Sequence, residues 1–272
     1  MNSYLHLLVL GVVQGLAEFL PVSSSGHLVL IENLTEFNPP GVLTEIVLHL
    51  ATLIAVIIYF WRDLAAMVGV RNHGRISSPG TYLAFLGLAT LATAAVVYPL
   101  RNLLEALTQG RIALILLVFT FVVTALVLFG LDALLVRRPA REGEVTGIGW
   151  LPVVLIGVMQ GIAALPGISR SGSTIFMGVA LGLRREEAAR FSFLLFIPIA
   201  LLAMIYQLMQ LGSGGLAFPS ELVGPLILGF VAALLSGVLA IRLLLLLLNR
   251  ARLRWFGVYL LAVAVFTLSH LA

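Results

Sequence analysis

Six stretches of this chain, at about 44–61, 81–98, 112–135, 187–210, 222–248 and 255–271, are apolar over lengths that reach across a lipid bilayer. A helical crossing takes roughly 17–25 residues, and several of these stretches lie near the lower bound. No water-soluble core needs so many. With 61% hydrophobic residues, 10% charged and a mean hydropathy of +1.12, the 272 residues read as an all-α integral membrane protein. Hydrocarbon offers no partner to a free backbone amide, so spans of this kind are helices. Cysteine is absent, which excludes disulfides and thiolate metal sites. The net charge of +4 reads as a topology signal rather than a nucleic-acid footprint.

Two further apolar runs, 7–13 and 153–165, stop at polar or Gly/Pro clusters after about 7–13 residues, the length of a re-entrant segment. Each is expected to enter the membrane as a half-helix, turn at the cluster and leave by a short return helix. Arginine placement fits this plan. The connections 62–80, 136–148, 184–190 and 249–254 hold twelve of the sixteen basic residues, all of them Arg, including Arg71, Arg75, Arg138 and Arg141. The alternate connections hold only Arg101 and Arg111. Six crossings with two re-entrant excursions put the rich connections on one side, the cytoplasmic side by the positive-inside rule, and both termini outside. No basic residue precedes Arg62, so the N-terminal segment lacks the charged start of a cleaved signal peptide.

The two interrupted runs are copies. At a constant offset of 146, GVVQGLA (11–17) aligns with GVMQGIA (157–163), and SSSG (23–26) falls on SRSG (169–172). Eight of the seventeen positions from 11 to 27 are identical. Three crossings follow each copy, and an odd number inverts the second half, the plan in which broken helices meet near the midplane. The expected architecture is one membrane domain, 1–272, with a first repeat over 1–135 (re-entrant motif 4–33), a cytoplasmic linker over 136–148 and a second repeat over 149–272 (re-entrant motif 152–183).

Ionisable residues at membrane depth are costly and mark function. Gln14 and Glu18 are four apart and share a helix face with Gly11 and Gly15, whose missing side chains admit a neighbouring backbone. Beyond them come Ser23, Ser24, Ser25, Gly26 and His27. The second tip, PGISRSGST (166–174), reads as an anion cradle: Pro166 and Gly167 break the incoming helix, and the next helix begins with free amides and a favourable dipole. Arg170 adds a planar fork suited to phosphate oxygens, and Ser169, Ser171, Ser173 and Thr174 add hydroxyls beside Gly172. The plainer reading of Arg170 is a buried pair with Glu18 in the empty site, which leaves the hydroxyls unexplained. Together these residues suggest phosphoryl transfer on a lipid. A serine attacks phosphorus, Arg170 steadies the spread charge, His27 moves a proton, and Glu18 orients His27, acts as base or binds a divalent ion. One carboxylate and one amide oxygen, from Glu18 and Gln14, suffice for Mg²⁺ when the substrate supplies phosphates.

QGLAEFLPVSSSGH (14–27) resembles the (Glu/Gln)-x-x-x-Glu signature and following Pro-Val-Ser-Ser-(Ser/Thr)-Gly-His segment of undecaprenyl-diphosphatases of the bacitracin-resistance type. PGISRSGST resembles that family's second motif, FSFLLFIP (191–198) a further stretch, and the match spans essentially the whole chain. The resemblance implies hydrolysis of undecaprenyl diphosphate to undecaprenyl phosphate and inorganic phosphate, which recycles the carrier for peptidoglycan synthesis and confers bacitracin resistance. It implies a multi-pass protein of the bacterial cytoplasmic (inner) membrane, dependent on a divalent cation, Mg²⁺ or Ca²⁺, with its site open to the outer face. It assigns Glu18 as the invariant acid, Ser24 as nucleophile, His27 as acid/base and Arg170 as diphosphate ligand, with Ser169, Ser171 and Thr174 as supporting ligands. Gln14 stands at the variable Glu/Gln place. The partners expected are the lipid substrate and the bilayer, no nucleic acid, and an assembly compatible with a homodimer.

Other polar residues carry less. His49 reads as an interhelical hydrogen bond, Arg242 as snorkelling to the interface, and Glu186 and Glu187 as acids at a helix start. The rival function is a transporter or flippase of polyprenyl phosphate or another anion, since inverted repeats with midplane half-helices also suit alternating access.

Overall fold

The computed structural model describes residues 3–35, 41–70, 78–107, 110–137, 143–212 and 220–271. Arg71, Arg75, Arg138, Arg141 and linker positions 138–142 lie outside the described residues. Among the described residues every regular element is helical. In chain order they are α1 (Ser3–Phe19), α2 (Ser24–Thr35), α3 (Gly41–Tyr59), α4 (Trp61–Met67), α5 (Pro79–Leu107), α6 (Gly110–Arg137), α7 (Trp150–Ile162), α8 (Arg170–Ala180), α9 (Arg185–Gly212), α10 (Ser220–Asn249) and α11 (Arg254–Ser269).

Five helices are long and apolar enough to cross a membrane, over Val42–Tyr59, Pro79–Leu104, Arg111–Arg137, Arg185–Gln210 and Ser220–Asn249. The stretch expected as a sixth crossing forms α11, whose 16 residues rise only about 24 Å, short of a hydrocarbon core of about 30 Å. By length α11 belongs with α1 and α7. α11 begins one residue before the expected stretch and ends two residues short of it, and just ahead of the helix Leu253 N–H donates to Asp132 Oδ1 at 2.9 Å.

The interrupted runs do form helix–break–helix units. α1 packs against α10, and its copy α7 packs against α5. Glycines set both approaches. A Cβ on Gly11 would stand 2.2 Å from the Gly229 carbonyl oxygen, and one on Gly157 would stand 2.4 Å from that of Ala89. One turn on, Gly15 meets Ser236 and Gly161 meets Val96 at comparable distances. A stripe of small residues every fourth position brings backbones together where lipid supplies no hydrophobic drive.

Both breaks also cap the following helix alike. Ser23 Oγ accepts from Gly26 N–H at 3.4 Å, and Ser169 Oγ from Gly172 N–H at 3.1 Å. The backbone oxygens of the same two serines accept from His27 N–H and Ser173 N–H. Each bond recurs at the 146-residue offset, so the sequence repeat is a repeat of capping geometry. The routes to the cap differ. Ser23 itself lies in the left-handed region at φ 68°, whereas in the second copy Gly167, at φ 87°, takes that conformation. For a serine this is a strained backbone, held in place by its neighbours.

Candidate active site

The tip of α1 and the start of α8 meet at a cavity of about 300 Å³. Glu18, Ser23, Ser24 and Ser25 form one wall, Ser169 and Arg170 another, and Phe196, Ile199, Ala200 and Ala203 of α9 close it with apolar surface. Glu18 is its hub. The carboxylate is 8% exposed, and a charge so placed must be paired. Arg170 Nη2 donates to Oε1 at 2.8 Å, Ser24 Oγ to Oε2 at 2.6 Å, and Gln14 Nε2 to Oε2 at 3.1 Å. The acid, a serine and the arginine of the two motifs thus stand in one hydrogen-bonded chain.

Arg170 is fixed from three other directions. Its Cζ lies 4.4 Å over the Phe196 ring, and its Nη1 donates to the Ser192 carbonyl at 3.3 Å. Thr174 donates to the Arg170 carbonyl at 2.8 Å and shares a 2.6 Å hydrogen bond with Ser192 Oγ. Thr124 of α6 sets the tip itself, donating to the Gly167 carbonyl and accepting from Ser169 N–H. Gly167 must lack a side chain, because its Cβ would fall 2.0 Å from Thr120 Oγ1. Ser171, Gly172, Ser173 and Thr174 are buried behind this wall and do not line the cavity.

His27 faces elsewhere. Its Nδ1 lies 2.8 Å from the Ser23 carbonyl, which can only accept, so that nitrogen carries the proton. Its Nε2, 2.8 Å from Tyr259 of α11, then accepts from the phenol in the neutral ring. The imidazole thereby braces the strained Ser23 that precedes Ser24, and it is not among the residues lining the cavity.

His49 requires a correction. Its expected interhelical hydrogen bond is instead a bond within α3, from Nδ1 to the Glu45 carbonyl at 2.9 Å. Its Nε2 faces the cavity, 3.9 Å from Glu18 Oε2. Ser192, Phe196, Thr124 and Tyr259 also support the site without having been singled out. Only Ser192 and Phe196 fell within a stretch already noted, FSFLLFIP. Glu186 and Glu187 do open α9, as expected, and Glu187 also pairs with Arg190.

Comparison with known proteins places this arrangement. The chain is 39% identical over 272 residues to an undecaprenyl-diphosphatase of Rubrobacter xylanophilus, covering 97% of each chain. It is 36% identical over 260 residues to that of Carboxydothermus hydrogenoformans, covering 95% of this chain and 94% of the relative. With that of Chlorobium chlorochromatii it shares 35% over 278 aligned residues, covering 99% and 98%. The family model of the bacitracin resistance protein BacA matches residues 7–266. Both tips and the cavity between them fall inside that match, and the chain belongs to the BacA family of bacitracin resistance proteins.

Proposed function

We propose that this protein hydrolyses undecaprenyl diphosphate to undecaprenyl phosphate and inorganic phosphate, recycling the lipid carrier of peptidoglycan synthesis and conferring bacitracin resistance. The observation that carries the proposal is the chain Ser24–Glu18–Arg170 at a cavity with an apolar wall. An entering diphosphate draws Arg170 from Glu18 onto its own oxygens. Freed of Arg170, the Glu18 carboxylate then takes the Ser24 proton as Oγ attacks the terminal phosphorus. The bond from that phosphorus to the bridging oxygen breaks, the prenyl phosphate leaves with the bond electrons, and water later hydrolyses the phosphoserine. Arg170 and the amides at the start of α8 bear the spread charge. His27 serves by bracing Ser23; to pass a proton it would exchange the Tyr259 hydroxyl for the leaving oxygen. The prenyl chain stays in lipid and meets the cavity along Ile199, Ala200 and Ala203.

The residues present fit one divalent cation brought in with the diphosphate. Among the described residues no group of three acids or histidines exists to hold a metal alone. Gln14 Oε1, however, is buried without a partner beside Glu18, a free oxygen ligand. Glu18 and Gln14 would hold Mg²⁺ or Ca²⁺, whose chemistry is to neutralise the diphosphate.

The proposal includes the bacterial inner membrane, a sixth crossing by the short α11 over which the bilayer thins, both termini outside and a site open to the outer face. Ile199 to Ala203 lie 14–18 residues past Arg185, a rise of about 21–27 Å from the arginine-rich end of α9. That separation supports the outward opening. It further includes the inverted relation of the two halves, which the exchanged packing of α1 with α10 and α7 with α5 supports, and a homodimer, testable by the mass in detergent. Transport gains no specific support, because an anion carrier has no need of a serine bonded to a carboxylate.

The test is phosphate release from a C55 or C15 prenyl diphosphate by the purified protein in detergent with Mg²⁺. Release that disappears in folded Ser24→Ala and Arg170→Ala variants is expected. A folded parent that releases none with Mg²⁺, Ca²⁺ or Mn²⁺ would overturn the proposal, and lipid movement in liposomes would become the next assay.

A further inference from the structure

We infer that His49 is a ligand of the cation that works at this site, joining Glu18 and Gln14, and that the site therefore has a mixed nitrogen and oxygen character. The inference rests on the cation-assisted phosphatase reading above and extends it to a residue of α3 that lies outside both sequence motifs.

The imidazole is prepared for this role. Nδ1 donates to the Glu45 carbonyl at 2.9 Å, one turn earlier on the same helix. A carbonyl can only accept, so the proton sits on Nδ1 and the neutral ring presents a lone pair at Nε2. Histidines that bind metals are oriented in this way, through a hydrogen bond from their other nitrogen to a carbonyl or carboxylate. Nε2 points into the cavity, 3.9 Å from Glu18 Oε2. A cation between them at about 2.0–2.2 Å from each ligand needs only a small closing of that gap.

The surroundings agree. Oε2 accepts from Ser24 Oγ at 2.6 Å and from Gln14 Nε2 at 3.1 Å, and the His49 Nε2 lone pair faces it from 3.9 Å. Oε1 is held separately by Arg170. Turning the Gln14 amide by half a rotation brings its buried, unpartnered Oε1 to the same point. A cation at Oε2 then finds one carboxylate, one amide oxygen and one imidazole from the protein, and takes its remaining ligands from diphosphate and water. His27, with both nitrogens engaged, offers no such lone pair. Imidazole among oxygen ligands favours a transition ion over Ca²⁺, which prefers oxygen alone.

Mn²⁺ is the probe. Purified protein in detergent is titrated with Mn²⁺, with and without a prenyl methylenediphosphonate that cannot be hydrolysed, and the bound ion is read by electron paramagnetic resonance. The parent is expected to bind one Mn²⁺ and to show nitrogen-14 coupling from a directly bound imidazole. In His49→Gln and His49→Ala that coupling disappears and Mn²⁺ binding weakens at least tenfold, while Ca²⁺ binding changes by less than threefold. Bound Mn²⁺ that depends on Glu18 yet shows no nitrogen coupling in the parent overturns the inference and leaves the cation reading intact. So does unchanged affinity in both His49 variants. A parent that releases phosphate but binds no Mn²⁺ in either state overturns the cation reading and this inference with it.

Discussion

Arg170 of α8 and Glu18 at the end of α1 meet across 2.8 Å, tying together two tips that lie 152 residues apart in the chain. Glu18 is buried, 8% exposed, and Arg170 is partly so at 14%, so Glu18 left alone is an uncompensated charge. Arg170→Ala is therefore expected to lower stability by about 3–5 kcal/mol and to abolish phosphate release. Adding Glu18→Gln removes the orphaned charge. The double variant should recover most of the lost melting temperature in detergent and none of the activity. A double variant that recovers none of the melting temperature would mean that Arg170 acts through packing on Phe196 rather than through charge.

Ser24 bonds to Glu18 and lies at the cavity wall, so its removal should affect chemistry far more than folding. Ser24→Ala is expected to keep its stability within about 1 kcal/mol of the parent and to lose phosphate release by about a thousandfold or more. Rapid quenching of the parent with labelled prenyl diphosphate should trap phosphate on Ser24. A residual rate above a tenth of the parent's would reassign Ser24 from nucleophile to a residue that positions water.

Tyr259 reaches His27 from α11, and the hydroxyl is the only part of it that the hydrogen bond uses. Tyr259→Phe leaves His27 Nε2 buried without a donor, at a cost of about 1–3 kcal/mol. The brace on Ser23 loosens with it, so phosphate release is expected to fall roughly tenfold through kcat, with KM little changed, since neither ring lines the cavity. His27→Ala should fall further, and combining the two should add little. Strict additivity would show that they act independently.

How much of this was legible follows from what carries a local signal. Glu18, the serines and Arg170 stood out because polar residues interrupt apolar runs, and because the interruption occurs twice at one offset. The glycine stripe was readable for the same reason, and α1 and α7 do use it for close packing. His49 gave no such signal. A single histidine in an apolar span has no spacing to interpret, and its place beside Glu18 depends on how α3 passes the tip of α1, a long-range packing outcome. Its one local trace, Glu45 four residues earlier, looks like any helical pair. Tyr259 was hidden likewise, in a helix that carries neither motif.

The packing of α1 on α10 admits a sharp test, because the fit at Gly11 involves backbone on both sides. A side chain there would meet the Gly229 carbonyl at 2.2 Å and its Cα at 3.0 Å, atoms that belong to a helix and cannot rotate away. Gly11→Val must therefore push the helices apart, at a cost of at least about 2 kcal/mol. Because α1 carries Gln14 and Glu18 at its far end, the shift should also separate Glu18 from Arg170. Loss of melting temperature and of activity together is the expected result. Gly87→Ala is the control, since nothing lies within 4 Å of the added methyl on α5, and it should stay within about 0.5 kcal/mol of the parent. If Gly11→Val unfolded no more readily than Gly87→Ala, the two helices would not be in backbone contact, and the glycine stripe would lose its role in setting the site.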